Sequence, residues 1–286
     1  MGYSSNEINA LLNLIEDPDE QVFKSITNKF ISFGNDAIPI LEEFSQLTDD
    51  PVQTEKIGFI MDSVSIHILK KELLEWKERD EPFILHPALA ISSFLKRDST
   101  KEQVLFEIEK IRKNIWLELN DYLTPLEEIN IINKVVFEHF NIQLKDPKEQ
   151  TFESFGISSV LFERCGSGFP VSAIYLIACE LLGIPVIAAQ IPNQLLLQYL
   201  DEGDDLIVMD NQEVLFYIDP TTGQVFTHND IDQYLKKNGF LDGIHSSEDR
   251  SERTFIRHWI QEIARFAGKG GNQTLKKGLS DIASTL

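Results

Sequence analysis

Cys165 heads the stretch CGSGFPVSAIYLIACELLGIPV, residues 165–186. A cysteine leading through two glycines and a proline into an apolar helix is an arrangement that presents thiol nucleophiles, because a helix start favours the thiolate. Such a thiol needs a base. The six histidines are at 67, 86, 139, 228, 245 and 258, and only His228 lies among the strand-like segments after the helix. A thiol hydrolase or acyltransferase would therefore use Cys165 as nucleophile and His228 as base. Cys179 shares an apolar helix face with Ala178 and Leu182 and is expected in the core. Ser167 and Ser172, with no base in reach, are expected to cap or pack. No CxxC pair or Cys/His cluster supports a disulfide framework or a zinc site. No Gly-Lys-Ser/Thr follows Gly166 and Gly168, so the loop is no phosphate cradle. The run Asp201-Glu202-Gly203-Asp204-Asp205 lacks the ligand spacing of a calcium loop and reads as a hairpin tip. No metal and no cofactor is expected.

These residues sit late in a chain that begins as helices. Ile8, Leu11, Leu12 and Ile15 form an amphipathic stripe, and Asp17-Pro18-Asp19 caps a second helix that closes at Gly34. A third helix starts near Pro39. Residues 11–44 resemble one HEAT-like helical repeat, in a single copy where a solenoid needs about three. Helices are predicted over 54–76, 87–95, 101–119 and 125–140, with Thr124-Pro125 opening the last. Trp76 and Trp116 are expected in the core, and residues 107–113 on a solvated helix face. A polar loop at 145–151 then gives way to a short helix at 158–164 and the apolar helix 170–182. Strands are predicted at 186–190, 194–199, 206–209, 213–218 and 225–226, followed by a helix at 230–236. An amphipathic helix at 251–267 precedes a glycine-rich tail whose last turns are expected to fray. A helix followed by consecutive strands predicts an α+β fold: an all-helical N-terminal half, then a helix packed on an antiparallel sheet. The expected divisions are a HEAT-like prefix over 1–50, a helical domain over 51–150, a core over 151–240, and a C-terminal helix and tail over 241–286.

The 286 residues carry a formal charge of −20, which repels phosphate backbones and argues against a nucleic-acid partner. The most basic stretch, 269–277, is short. The first twenty residues lack the pattern of a secretory signal, and Asn6 stands where a myristoylation motif needs Ser or Thr. The longest apolar runs fall far below the ~20 residues that cross a bilayer. A cytoplasmic chain without a membrane partner is the expectation.

The order helix, strand, strand, then a strand ending in Asp-Pro resembles the transglutaminase-like core of the papain-like cysteine-protease superfamily. The chain is most similar to its bacterial SirB-type branch. Thr124-Pro125-Leu126-Glu127 with Asn133 and Val136-Phe137 resembles that branch's lead-in. Cys165-Gly166 through Leu182-Gly183-Ile184-Pro185 resembles its loop and helix, Ile191-Pro192-Asn193-Gln194 its Leu-Pro-x-His segment, and Phe216–Pro220 its Asp-Pro strand. The resemblance spans roughly residues 100–237. It implies a triad of thiol, imidazole and carboxylate. With Tyr175 and Leu-Gly-Ile-Pro as anchors, the nucleophile position falls on Gly168, the histidine position on Gln194, and the aspartate on Asp219. Two of the three functions are then missing.

The resemblance thus implies a degenerate core acting as a protein- or peptide-binding scaffold. Its expected cleft is formed by Gly166, Ser167, Phe169, Gln194 and Asp219, where backbone N–H groups would take a carboxylate or a peptide end. The rival expectation is the enzyme built on Cys165. A third places partner docking on the acidic N-terminal helices.

Overall fold

The computed structural model describes residues 5–79, 83–95, 100–191, 194–201, 214–239 and 252–286. The chain divides into two compact units, one of Met1–Glu75 with Ile260–Thr285 and one of Trp76–Trp259 with Leu286. The boundaries fall inside two helices, α4 (Pro51–Lys77) and α11 (Glu252–Lys269). The segmentation at 50, 150 and 240 expected from composition cannot see this, since a helix crossing a boundary carries no Pro/Gly signal.

The first unit holds α1 (Ser5–Asn13), α2 (Glu20–Phe33), α3 (Ala37–Leu47) and most of α4. Asp19 caps α2 by accepting from Gln21 N at 2.7 Å. Ile15, Ile26, Phe30, Leu41, Ile57 and Ile60 interlock as its core. The tail does not fray. Residues Gln273–Thr285 form α12, with Leu275, Leu279, Ile282 and Ala283 buried at helical spacing. Asn272 ties its start to α4, donating to Asp62 at 2.8 Å and accepting from Leu275 N at 2.9 Å.

The second unit follows the predicted order. Its helices are α5 (Leu85–Leu95), α6 (Lys101–Trp116), α7 (Pro125–Asn133) and, after a two-residue strand β1 (Gln143–Leu144), α8 (Ile157–Glu163). Thr124 caps α7 reciprocally with Glu127, and a wide helical turn over Lys134–His139 continues it. Strand β2 (Cys165–Gly166) pairs in parallel with β1 and leads into α9 (Gly168–Leu182), which is buried from Pro170 to Cys179. The antiparallel sheet runs in the order β3 (Val186–Ile191), β4 (Gln194–Leu200), β5 (Val214–Ile218), β6 (Val225–Phe226), and α10 (His228–Lys237) follows. The strand expected at 206–209 lies outside the described residues. The fold is α+β: helices, then a helix-and-antiparallel-sheet core. Among the described residues no helix is long and apolar enough to cross a membrane.

Two expectations about α6 are corrected. Trp116 is 59% exposed at its C-terminal end rather than in the core, whereas Trp76 is buried and donates to Phe83 O at 2.9 Å. Glu107 is buried, not solvated: Arg164 reaches it at 3.2 Å and Lys110 bonds it from one turn on. Sequence spacing could not show this, because Arg164 comes from 57 residues away.

At the other end of α9, Glu180 accepts from Ile84 N with both carboxylate oxygens at 3.1 Å. Burial raises its pKa to about 7, beyond what that hydrogen bond offsets, and Glu252 adds like charge. The folded state therefore holds a proton that the unfolded state has released, and Glu180 costs stability as pH rises from about 4.5 to about 7. Glu180→Gln removes this slope. Chemical denaturation from pH 4.5 to 8 is expected to show the wild type losing on the order of 2–3 kcal/mol relative to the variant. Parallel curves would contradict it.

Candidate functional site: a transglutaminase-like centre without its thiol

The start of α9 is built by close packing on one side and left open on the other. Lys145 N donates to Gly166 O and Ser167 N to Ser154 O, each at 2.8 Å. A Cβ at Gly166 would lie 2.5 Å from Val160 Cγ2, so this glycine is required by contact. Gly168 differs. A Cβ there meets no atom within 4 Å, so its bareness answers no packing demand. Ser167 occupies the N-cap without making a cap bond, and Pro170 has no N–H at the third helical position to offer it. Its Oγ is buried without a partner. Ser172 hydrogen-bonds back to Gly168 O at 2.8 Å, packing as expected.

Beyond this helix start, Phe169 meets Phe255 of α11 edge-on at 5.4 Å, and Phe255 meets Trp259 at 6.0 Å. Trp259 donates to Phe155 O at 2.9 Å. Sequence reading missed this contact. The amphipathic stripe of residues 251–267 announces a helix that buries one face, not which surface it covers.

Cys165 lies in β2 rather than in the first turn of α9, half-buried, with its carbonyl accepting from Ser159 Oγ at 3.2 Å. His228 opens α10. Its Nε2 bonds Val214 O at 2.6 Å and its ring stands edge-on to Tyr217 at 5.3 Å. No hydrogen bond joins Cys165 to His228 among the described residues. Cys179 is fully buried, and burial pushes its thiol far above the usual range. Gln194 opens β4 opposite Ile191, and its side chain lies outside the described residues.

Asp219 follows β5 in a tight turn. Its Oδ1 accepts from Thr221 N at 2.8 Å and from Thr221 Oγ1 at 2.6 Å, and its carbonyl accepts from Gly223 N at 2.8 Å. It lines a cleft of about 350 Å³ with Leu196, Phe226, Asp230, Ile231 and Tyr234. Gly166, Ser167 and Phe169 do not line that cleft, a correction to the single cleft expected from the resemblance. The reason is strand alternation. Tyr217 and Leu196 share the sheet face covered by α10, and Asp219, two residues after Tyr217, emerges on that face.

A polar string ties the turn to α9. Tyr175 donates to Asn133 Oδ1 at 2.9 Å, and Asn133 Nδ2 donates to Gly223 O at 2.8 Å. Gly223 has φ +74°, and a Cβ there would fall 2.6 Å from the Asn133 side chain. Tyr175 is buried, which raises its pKa well above normal, and it stacks on Phe137. Asn133, Phe137 and Tyr175 are thus the parts of the lead-in and helix motifs that hold the aspartate's turn in place.

With this geometry, residues 102–263 match the profile of the transglutaminase-like superfamily, more than half of the chain. The chain belongs to the transglutaminase-like superfamily. The match runs from α6 into α11, so the helix that covers Phe169 is part of the family's domain rather than a separate tail. No curated protein and no solved structure matches the chain.

The contrast between the glycines is testable. Gly168→Cys is expected to fold with a stability within about 1 kcal/mol of wild type, since the site is open. Gly223→Ala adds both a left-handed-region penalty and a clash, and is expected to cost more than about 2 kcal/mol. Urea midpoints decide it: equal losses in the two variants would contradict the reading of Gly168 as an open site.

Proposed function

We propose that this chain is a non-catalytic transglutaminase-like protein that binds a protein or peptide partner. The observation that carries the reading is Gly168: the position that the family anchors assign to the nucleophile is sterically open and holds no functional group. Two further features support it. Oδ1 of Asp219 holds Thr221 and so stabilises a turn. His228, the alternative base, spends its Nε2 on a backbone carbonyl. The order of motifs from Thr124 to Pro220 supports placement in the SirB-type branch. The paired helices α1 to α3 support reading the first 50 residues as a HEAT-like prefix. The charge of −20 favours a protein or peptide partner over a nucleic acid, and the sparse cysteines suit a cytoplasmic setting.

The test is turnover. Wild-type protein is expected to hydrolyse esters and amides, and to transfer acyl groups to amines, at the uncatalysed rate. Cys165→Ala and Asp219→Asn are expected to change nothing. Iodoacetamide is expected to label Cys165 no faster at pH 7 than it labels a small-molecule thiol. Turnover that disappears in Cys165→Ala or Asp219→Asn would sink the proposal.

A further inference from the structure

The Asp219 cleft carries an arrangement that neither the triad nor the family relationship accounts for. Two carboxylates face it from different elements, Asp219 from the turn after β5 and Asp230 from the first turn of α10. Each uses one oxygen internally: Asp219 Oδ1 on Thr221, and Asp230 Oδ2 on Thr227 N and Oγ1 at 2.8 and 2.7 Å. Asp219 Oδ2 and Asp230 Oδ1 take no hydrogen bond among the described residues. The hydrogen bonds from Thr227 hold Asp230 below the usual carboxylate range, so it is charged at neutral pH. The walls are apolar and aromatic, from Leu196, Ile231, Phe226 and Tyr234.

A second observation comes from inside the sheet. Gln198 pairs with Ile187 and Tyr217 and, by strand alternation, stands on the same face as Leu196, the next side chain along. It is 0% exposed, and neither its Oε1 nor its Nε2 has a hydrogen-bond partner. Its surroundings, Leu196, Leu200, Tyr217 and Ile231, are an apolar cluster. An amide buried there with both donor and acceptor unused is costly to the fold and is not explained by packing. It stands on the cleft side of the sheet, where a ligand entering past Leu196 meets it.

The geometry points to this cleft as a binding site for a cationic peptide side chain, a guanidinium on an apolar stem. The carboxylate oxygens of Asp219 and Asp230 take the charge, Phe226 and Tyr234 flank the planar group, and Gln198 takes a peptide amide. Guanidinium suits the site because it offers several donors in one plane and stacks on aromatic rings. The site does not depend on the absence of catalysis, so turnover assays and the binding test fail separately.

The test is titration of the full chain with Nα-acetyl-arginine amide, followed by calorimetry or amide chemical shifts. The neutral isostere Nα-acetyl-citrulline amide serves as control. The arginine probe is expected to bind saturably and at least tenfold more tightly than the citrulline probe. Asp219→Asn with Asp230→Asn keeps an acceptor oxygen for Thr221 and Thr227 while removing the charge, and is expected to lower affinity at least tenfold. Gln198→Leu is expected to raise Tm, by removing the unpaired amide, and to weaken the arginine probe severalfold. A merely structural Gln198 would give the first effect without the second. Agmatine, which has the cation but no peptide amides, is expected to bind more weakly than the probe. Equal binding of the arginine and citrulline probes, wild-type affinity in the Asn double variant or in Gln198→Leu, or agmatine binding as tightly as the probe would each overturn the proposal.

Discussion

The side chain of Asn133 holds the second unit's polar architecture together. It accepts from Tyr175 in the buried length of α9 and donates to the carbonyl of Gly223 in the turn after β5. One amide thereby fixes the end of α7, the middle of the central helix and the Asp219 turn with respect to each other. A buried amide is well used when its donor and acceptor both find partners, and costly when they do not. Asn133 is the first case and Gln198 the second. Gly223 completes the arrangement, since only a glycine tolerates both its φ and the closeness of Asn133. The same string explains why Tyr175 is so deeply buried with a polar end: its hydroxyl is consumed.

This scaffold survives the loss of the chemistry it resembles. The α9 start keeps the contacts that shape the loop, with Gly166 pressed against Val160 and backbone bonds to Ser154 and Lys145. What is missing is a group on Gly168, in a place with room for one. Oδ1 of Asp219 serves the turn, while its other oxygen faces the α10 cleft. The fold therefore separates two features that a triad would unite: the helix start, flanked by Phe169 and Phe255, and the carboxylate, flanked by α10.

Most of the fold was legible because its signals are local. Thr124-Pro125 and its Glu127 read as a helix start because a capping box is a matter of four residues. The strands after α9 read correctly from their β-branched and apolar runs. The site was legible only in part. Gly168 followed from anchors within one helix, where no gap intervenes. Which face Asp219 occupies depends on the register of three strands, and no single strand encodes that. Trp116 was misplaced because apolar neighbours at a helix end do not guarantee cover. Glu107 was misplaced because its partner Arg164 is distant in sequence. The helical tail was missed because glycines at 268, 270 and 271 drew attention from the Leu275, Leu279 and Ile282 stripe beyond them.

The central claim is that the transglutaminase-like centre of this chain has no working nucleophile. The most direct measurement is intact-mass spectrometry of the native protein after brief exposure to an activated ester such as p-nitrophenyl acetate. The account predicts no rapid stoichiometric acyl adduct, and only slow acylation, indistinguishable from that of the Cys165→Ala protein. A single acyl group that forms within seconds, maps to Cys165 and is discharged by water or an amine would contradict it.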